Sequence, residues 1–287
     1  MNIVALCAHR ARYMVSKALS GRSPRVSRPT AASSRIALRI APRIGIVLAA
    51  VIGYFGVRGL TDSSQAKALR NAAHVEAAER VLHLDWEPQL QSLVVNDQAI
   101  TRLLNWIYIY GHWPVIALIL IWLLSRHPAL FSRAAGAMLL SGSAGLIAFA
   151  AFPVAPPRLA ALGMTDTVTE QSSAYRVLQP SAFTNQYAAM PSLHVGWNLL
   201  MTLAILAATR KIWLRVLAVA LTMSMDATVV LTANHYVLDA LAGVVLAELG
   251  WYAMGRLQNR ARRQQRTTTR DTNHPAPSVF VLTGQRG

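Results

Sequence analysis

Two short stretches each place a histidine where a loop meets a long apolar segment. His194 ends the stretch Met190–His194, and His235 directly follows Asn234. Asp239 lies four residues after His235, a spacing that stacks two side chains on one helix face about one turn apart. A carboxylate beside an imidazole fixes its tautomer and raises its basicity, as a nucleophile or general base requires. A second histidine at a neighbouring helix mouth can protonate a leaving group. The pattern therefore indicates group-transfer chemistry.

A proline-rich run over residues 152–158, which ends in Arg158, provides a candidate anion site. Stiff prolines aim the guanidinium, whose fork matches phosphate oxygens, although an arginine that snorkels to the membrane interface fits the run as well. Ser192 precedes a helix start, where it can cap the helix, donate to an anion, or do both. Weaker candidate donors, each of which is more simply explained by a loop hydrogen bond, are Arg176, Asn185, Tyr187 and Asn234.

The composition predicts a membrane protein, since 54% of the residues are hydrophobic and only 14% are charged. Six apolar runs approach the length that a helix needs to cross a bilayer. The runs are Ile44–Leu60, Leu103–Leu124, Ala134–Phe152, Leu193–Ala208, Ile212–Leu231 and Tyr236–Met254.

The distribution of charge predicts the topology. The net charge is +16, and with six spans 21 of the 28 lysines and arginines share one side, whereas eight of the 12 acidic residues lie on the other. This asymmetry predicts a multi-pass cell-membrane protein with both termini cytoplasmic and with His194 and His235 extracytoplasmic. The basic tails are expected to contact anionic lipid, not nucleic acid, because no aromatic residues alternate with the arginines.

We therefore predict an all-α, polytopic membrane bundle of six transmembrane helices. Residues 1–35 form a basic, disordered cytoplasmic tail, residues 36–258 the membrane domain, and residues 259–287 a second basic, disordered tail. The segment Asp62–Leu82 is predicted as an extracytoplasmic helix that lies on the interface, because charges occur throughout it. The only cysteine, Cys7, excludes an internal disulfide.

The three motifs, in this order, resemble the type 2 phosphatidic acid phosphatase superfamily. They are the proline-rich run with Arg158, the stretch Ala188–His194, and His235 with Asp239. The resemblance implies a six-helix, metal-free enzyme without a cofactor that cleaves or transfers a phosphoester of a membrane lipid. It implies that His235 attacks phosphorus, that Asp239 orients it, and that His194 protonates the departing alkoxide. Arg158 and Ser192 would hold the phosphoryl oxygens.

Two departures from the family pattern favour its inositol phosphorylceramide synthase-like branch. Ala151 stands where the phosphatase pattern has a lysine, and Val229 where it has an arginine. Lipid headgroup transfer is therefore preferred over hydrolysis of polyprenyl phosphate or phosphatidic acid. A non-catalytic lipid-binding or transport bundle remains a further alternative, as does a metal hydrolase with His194, His235 and Asp239 as ligands. No H-E-x-x-H motif or cysteine set supports the metal.

Three polar residues inside the spans, Asn198, Asp226 and Glu248, have no assigned role, although Asn198 lies one turn below His194 and could face the same cavity. His112 is interpreted as a packed, hydrogen-bonded residue. The sequence leaves the lipid, the acceptor and the oligomeric state open.

Overall fold

The described chain is helical, which confirms the predicted all-α class over those residues. The computed structural model describes residue 45 and residues 64–160, 162–171 and 185–272. These ranges contain no β-strand, only an isolated parallel bridge between Val154 and Ala188. The helices are α1 Gln65–Leu82, α2 Glu87–Ser92, α3 Gln98–Tyr110, α4 Trp113–Arg126, α5 Pro128–Ala151, α6 Thr167–Gln171, α7 Leu193–Ala208, α8 Ile212–Leu231 and α9 Val237–Thr272, with a 3-10 turn at Pro157–Leu159.

The described residues contain three helices, α5, α8 and α9, that are long and apolar enough to cross a membrane, or four if α3 and α4 form one bent span. The helix α7 is apolar but has 16 residues, about 24 Å, which is less than the ~30 Å of a hydrocarbon core. The predicted first span, Ile44–Leu60, lies outside the described residues except for Gly45. Six transmembrane helices are therefore not confirmed.

The predicted run Leu103–Leu124 is not one continuous helix. It is divided into α3 and α4, which are bent by 40° at residues 111 and 112. Pro114, in the first turn of α4, lacks an N–H donor, and its ring clashes with a carbonyl of a preceding helical turn. The break places His112 at the junction, where its side chain is buried.

The helices α7 and α9 approach each other closely at two glycines. A Cβ atom on Gly243 would lie 2.1 Å from the carbonyl oxygen of Ser192, and one on Gly196 would lie 2.6 Å from that of Gly243. Larger residues would force the helices apart. This contact brings together the helix starts that carry the two predicted catalytic histidines.

The predicted interfacial helix is present as α1, and its location at a membrane surface remains a prediction. Its buried face, which includes Ala68, Ala72 and Val75, packs against Val154 and Tyr236. At the other end of the chain, α9 runs to Thr272 and thus into the tail predicted to be disordered. That extension is rich in arginine and glutamine, which favour helix.

Candidate active site

His235 lies in the tight turn that joins α8 to α9. Ala233 adopts a left-handed conformation with φ 55°, and the N–H groups of Asn234 and His235 both donate to the carbonyl of Val229. Nδ1 of His235 is 2.8 Å from the carbonyl oxygen of Ala189 and 3.5 Å from Oδ2 of Asp239. Both neighbours are acceptors, so we assign the hydrogen to Nδ1, which leaves Nε2 with its lone pair.

Asp239 lies in the first turn of α9 and is fully buried. The predicted contact with His235 exists, but His235 precedes the helix instead of sharing a face with Asp239. The contact forms because the carboxylate reaches back: its Oδ2 accepts the N–H of Tyr236 at 2.9 Å, as an acid in the first turn of a capped helix does. Its Oδ1 is buried and has no hydrogen-bond partner among the described residues.

His194 lies in the first turn of α7 and faces the nucleophile candidate. The ring centroids of His194 and His235 are 5.7 Å apart, and the planes are tilted by 56°. The His194 ring also stacks on Tyr108 of α3, with centroids 4.8 Å apart. The two predicted catalytic imidazoles therefore lie side by side where α7 and α9 begin, as the predicted group-transfer chemistry requires.

His112 is a third histidine at this place, which the sequence interpretation treated as a packing residue. Its ring centroid is 4.4 Å from that of His194. Nδ2 of Asn198 lies 3.1 Å from Nδ1 of His112 and donates to the carbonyl of His194 at 2.9 Å. The second bond fixes the orientation of the amide, so Nδ1 of His112 accepts a hydrogen bond. The only sequence feature that could have indicated this position of His112 was the pair of helix-disfavouring residues around it, Gly111 and Pro114, inside an apolar run.

Arg158 is tied to the turn of the nucleophile candidate by its backbone and its side chain. Its N–H donates to the carbonyl of Ala233 at 3.0 Å, and its Nε donates to Oδ1 of Asn234, also at 3.0 Å. Its Nη1 forms an ion pair with Oδ2 of Asp166 at 3.1 Å. The sequence interpretation missed Asp166. The two side-chain partners, Asn234 and Asp166, hold the guanidinium in one orientation, and an oriented guanidinium can bind a phosphate through two parallel hydrogen bonds.

The other predicted phosphate ligands have structural partners. The amide of Asn234 accepts from Arg158 and donates to Oγ1 of Thr232 at 2.8 Å. Ser192 is fully buried and caps α7, since its Oγ accepts the N–H of Val195 at 3.4 Å. Tyr187 packs on the apolar cluster under α1, and its N–H donates to Oδ1 of Asn185. Arg176 lies outside the described residues.

Among the described residues, no three histidine, cysteine or acidic side chains are arranged to hold a metal ion. The ligand set of the metal-hydrolase alternative, His194 with His235 and Asp239, is therefore not supported by the arrangement of its members. Asp226 of α8 has a buried Oδ1 without a hydrogen-bond partner in the described part of the chain, and we assign it no role.

Comparison with known proteins identifies the family. A model of the PAP2 superfamily matches residues 73–253, more than half of the chain, and this range contains every predicted site residue. The chain belongs to the PAP2 superfamily. Membership indicates a phosphatase or a phosphotransferase. Searches of curated proteins and of solved structures gave no match.

In this PAP2 superfamily member, the two positions that depart from the phosphatase pattern, Ala151 and Val229, have different surroundings. Val229 is fully buried and packs in an apolar cluster with Tyr108 and Met225. Ala151, by contrast, receives a cation from another helix, because Nζ of Lys67 on α1 donates to its carbonyl oxygen at 3.1 Å.

Proposed function

We propose that this protein is an integral-membrane lipid phosphotransferase or phosphatase that acts through a phosphohistidine on His235, without a metal ion. One observation carries the proposal: the ring of His235, whose Nδ1 is held by two acceptors, lies 5.7 Å from the ring of His194. A double-displacement reaction needs a nucleophile and an acid–base group beside it. Nε2 of His235, which carries the lone pair, and the ring of His194 supply these two groups in our proposal.

The reaction has two steps. Nε2 of His235 attacks phosphorus, the bond from phosphorus to the leaving oxygen breaks, and His194 as imidazolium gives its proton to the departing alkoxide. An acceptor hydroxyl then gives its proton to neutral His194 and attacks the phosphohistidine. The N–P bond breaks, the new P–O bond forms, and both histidines return to their starting states. Asp239 stabilises the positive charge that His235 carries while it is phosphorylated.

The proposed reaction requires a protonated His194 at the start. The ring of Tyr108 lies against His194, with centroids 4.8 Å apart, and the face of an aromatic ring attracts a cation. The amide of Asn198 donates to Nδ1 of His112, whose ring centroid is 4.4 Å from that of His194.

Arg158 is the cation that we assign to the phosphoryl oxygens. Phosphoryl transfer depends on positioning and on stabilisation of charge, and Arg158 is oriented by Asn234 and Asp166. We place the site at the outer leaflet of the cell membrane, with both termini in the cytoplasm, because of the distribution of basic residues in the sequence.

We favour transfer of a headgroup to a lipid hydroxyl, as in the inositol phosphorylceramide synthase-like branch, over hydrolysis. The apolar packing of Val229 supports this preference, because no second cation reaches the site from the position where the phosphatase pattern has an arginine. Water as the acceptor would instead make the protein a phosphatase of a polyprenyl phosphate or of phosphatidic acid.

The test uses the purified full-length chain with lipids labelled in the phosphate group, with and without an acceptor lipid that has a free hydroxyl. A new labelled phosphodiester identifies a transferase, and free labelled phosphate or headgroup identifies a phosphatase. We expect turnover to resist chelators, to be inhibited by vanadate, and to be lost in folded His235→Ala and His194→Ala variants. Turnover that survives in both variants, or lipid binding with no turnover in the wild type, would overturn the proposal.

A further inference from the structure

The start of α9 is held by two acidic side chains from distant parts of the chain. Oε1 of Glu87, in α2, accepts the N–H of Val237 at 2.8 Å. Oε1 of Glu79, in α1, accepts the N–H of Leu238, also at 2.8 Å. With Asp239 on the N–H of Tyr236, three successive backbone donors next to His235 each meet a carboxylate. The N–H groups of a first helical turn lack partners within the helix, so they favour such groups.

The two glutamates are almost completely buried, with exposed fractions of 1% for Glu79 and 3% for Glu87. A single local side chain is enough to cap most helices. Two buried acids are a costly solution, since each carboxylate loses its hydration. Because they accept the N–H groups of Val237 and Leu238, close to His235, we infer a role beyond capping the start of α9.

We propose that Glu79 and Glu87 are positioning residues that clamp the first turn of α9 and thereby hold His235 in line with the phosphorus atom. The inference rests on the proposed function. The clamp connects α1 and α2 to the turn at residues 232–236, while the carbonyl of Ala189 and the carboxylate of Asp239 hold the imidazole itself. A small displacement of a nucleophile has a large effect on rate.

The clamp holds a proton at neutral pH. Burial, the largest cause, raises the pKa of Glu79 from 4.5 to about 8, and burial also raises the pKa of Glu87. The two side chains hydrogen bond to each other, which requires a proton on one of them. The titratable groups that face this pair are Asp239 and Tyr236. Loss of the proton would leave adjacent carboxylates beside Asp239, and their repulsion would loosen the clamp.

The sign of the pH effect on stability follows from the raised pKa of Glu79. Between about pH 4.5 and pH 8 the folded protein keeps a proton that the unfolded chain has lost. The contribution to the free energy of unfolding is therefore complete below pH 4.5 and is lost as the pH rises to about 8. A glutamine at position 79 imitates the protonated acid, because its carbonyl accepts from Leu238 and its NH₂ donates to Glu87.

The experiment compares Glu79→Gln and Glu79→Leu with wild type, and Glu76→Gln serves as a matched control one turn earlier on α1. In Glu79→Leu we expect kcat to fall by at least about tenfold with KM changed by less than about twofold, because the nucleophile is misplaced while binding remains. In Glu79→Gln we expect near wild-type kcat at pH 7 and a weaker loss of activity at alkaline pH. Glu76→Gln should match wild type.

Melting temperature, measured from pH 5 to pH 9 without substrate, separates the clamp from the proposed function. We expect the melting temperature of wild type to decline over this range and that of Glu79→Gln to decline less, whether or not any lipid is turned over. A Glu79→Gln profile with the wild-type slope would overturn the clamp. So would a folded Glu79→Leu variant with wild-type kcat. If Glu79→Leu does not fold, the Glu79→Gln profile decides alone.

Discussion

The two helix starts that meet at the candidate site are built in different ways. The start of α7, which carries His194, has a local and neutral cap, since Ser192 accepts the N–H of Val195 three residues later. The start of α9, which follows His235, has three acids on three successive N–H groups, and two of these acids come from residues more than 140 positions away. The start of α7 therefore depends on a nearby residue, whereas the start of α9 also depends on contacts with α1 and α2.

This difference determines which groups at the site can contact a substrate phosphate. The N–H groups of Tyr236, Val237 and Leu238 already bind protein carboxylates, so they are not free to bind a substrate phosphate as other helix starts do. In the proposed mechanism Asp239, which contacts Nδ1 of His235 at 3.5 Å, instead supports the positive charge that a phosphorylated His235 would carry. In the proposed mechanism the charge that neutralises the phosphate comes from Arg158, which Asn234 and Asp166 orient.

Of the three substitutions that test this comparison, removal of His194 at the start of α7 is expected to have the largest effect. In His194→Asn, turnover of a lipid with an alkoxide leaving group should fall by about 10²–10⁴-fold, because the alkoxide leaves without a proton. An aryl phosphate analogue, whose leaving group needs no proton, should lose much less. The measurement is kcat for both substrates in wild type and variant. Equal losses for the two would contradict the role of His194.

A smaller effect is expected from a neutral replacement on the α9 side. In Asp239→Asn the amide oxygen can still accept the N–H of Tyr236, so the helix start remains, but the charge that supports a phosphorylated His235 is lost. We expect kcat to fall by about 10–100-fold and the free energy of unfolding to change by less than about 1 kcal/mol. Steady-state kinetics and denaturant unfolding check the two parts. A kcat within twofold of wild type would show that the acidic side has no electrostatic role.

The smallest effect is expected at the neutral cap. Ser192→Ala should lower the free energy of unfolding by about 1 kcal/mol, whereas Ser192→Gly should cost only a few tenths. Because Ser192 is fully buried, we expect kcat/KM to stay within about threefold of wild type once the proteins are folded. A loss of tenfold or more in Ser192→Ala would instead support the sequence-based prediction that the hydroxyl holds a phosphoryl oxygen.

The sequence predicted what depends on nearby residues. The bounds of α7 and α8 match the predicted apolar runs, because each run ends at polar or charged residues. The serine cap of α7 and the contact of His235 with Asp239 were also predicted, since both span four residues or fewer. The break before α4 was missed because Gly111 and Pro114 lie inside an apolar run, and such residues are tolerated in membrane helices.

What could not be predicted depends on distant contacts. Glu79 and Glu87 gave no local signal, since a carboxylate in a segment rich in charges has the pattern of an exposed residue. Their burial depends on α9, whose start lies about 150 residues away. The approach of His112 to His194 depends in the same way on the packing of α3 and α4 against α7.

The central claim is that His235 forms a covalent bond to phosphorus, and trapping of that intermediate tests it most directly. The protein would be mixed with a lipid labelled in its phosphate, quenched within one turnover, digested and analysed by mass spectrometry. We predict a phosphoryl group on the peptide that contains His235. Its amount should increase in the wild-type protein when the acceptor lipid is omitted, and it should be absent from His235→Ala. Turnover without any label on His235, or label on another residue, would contradict the account.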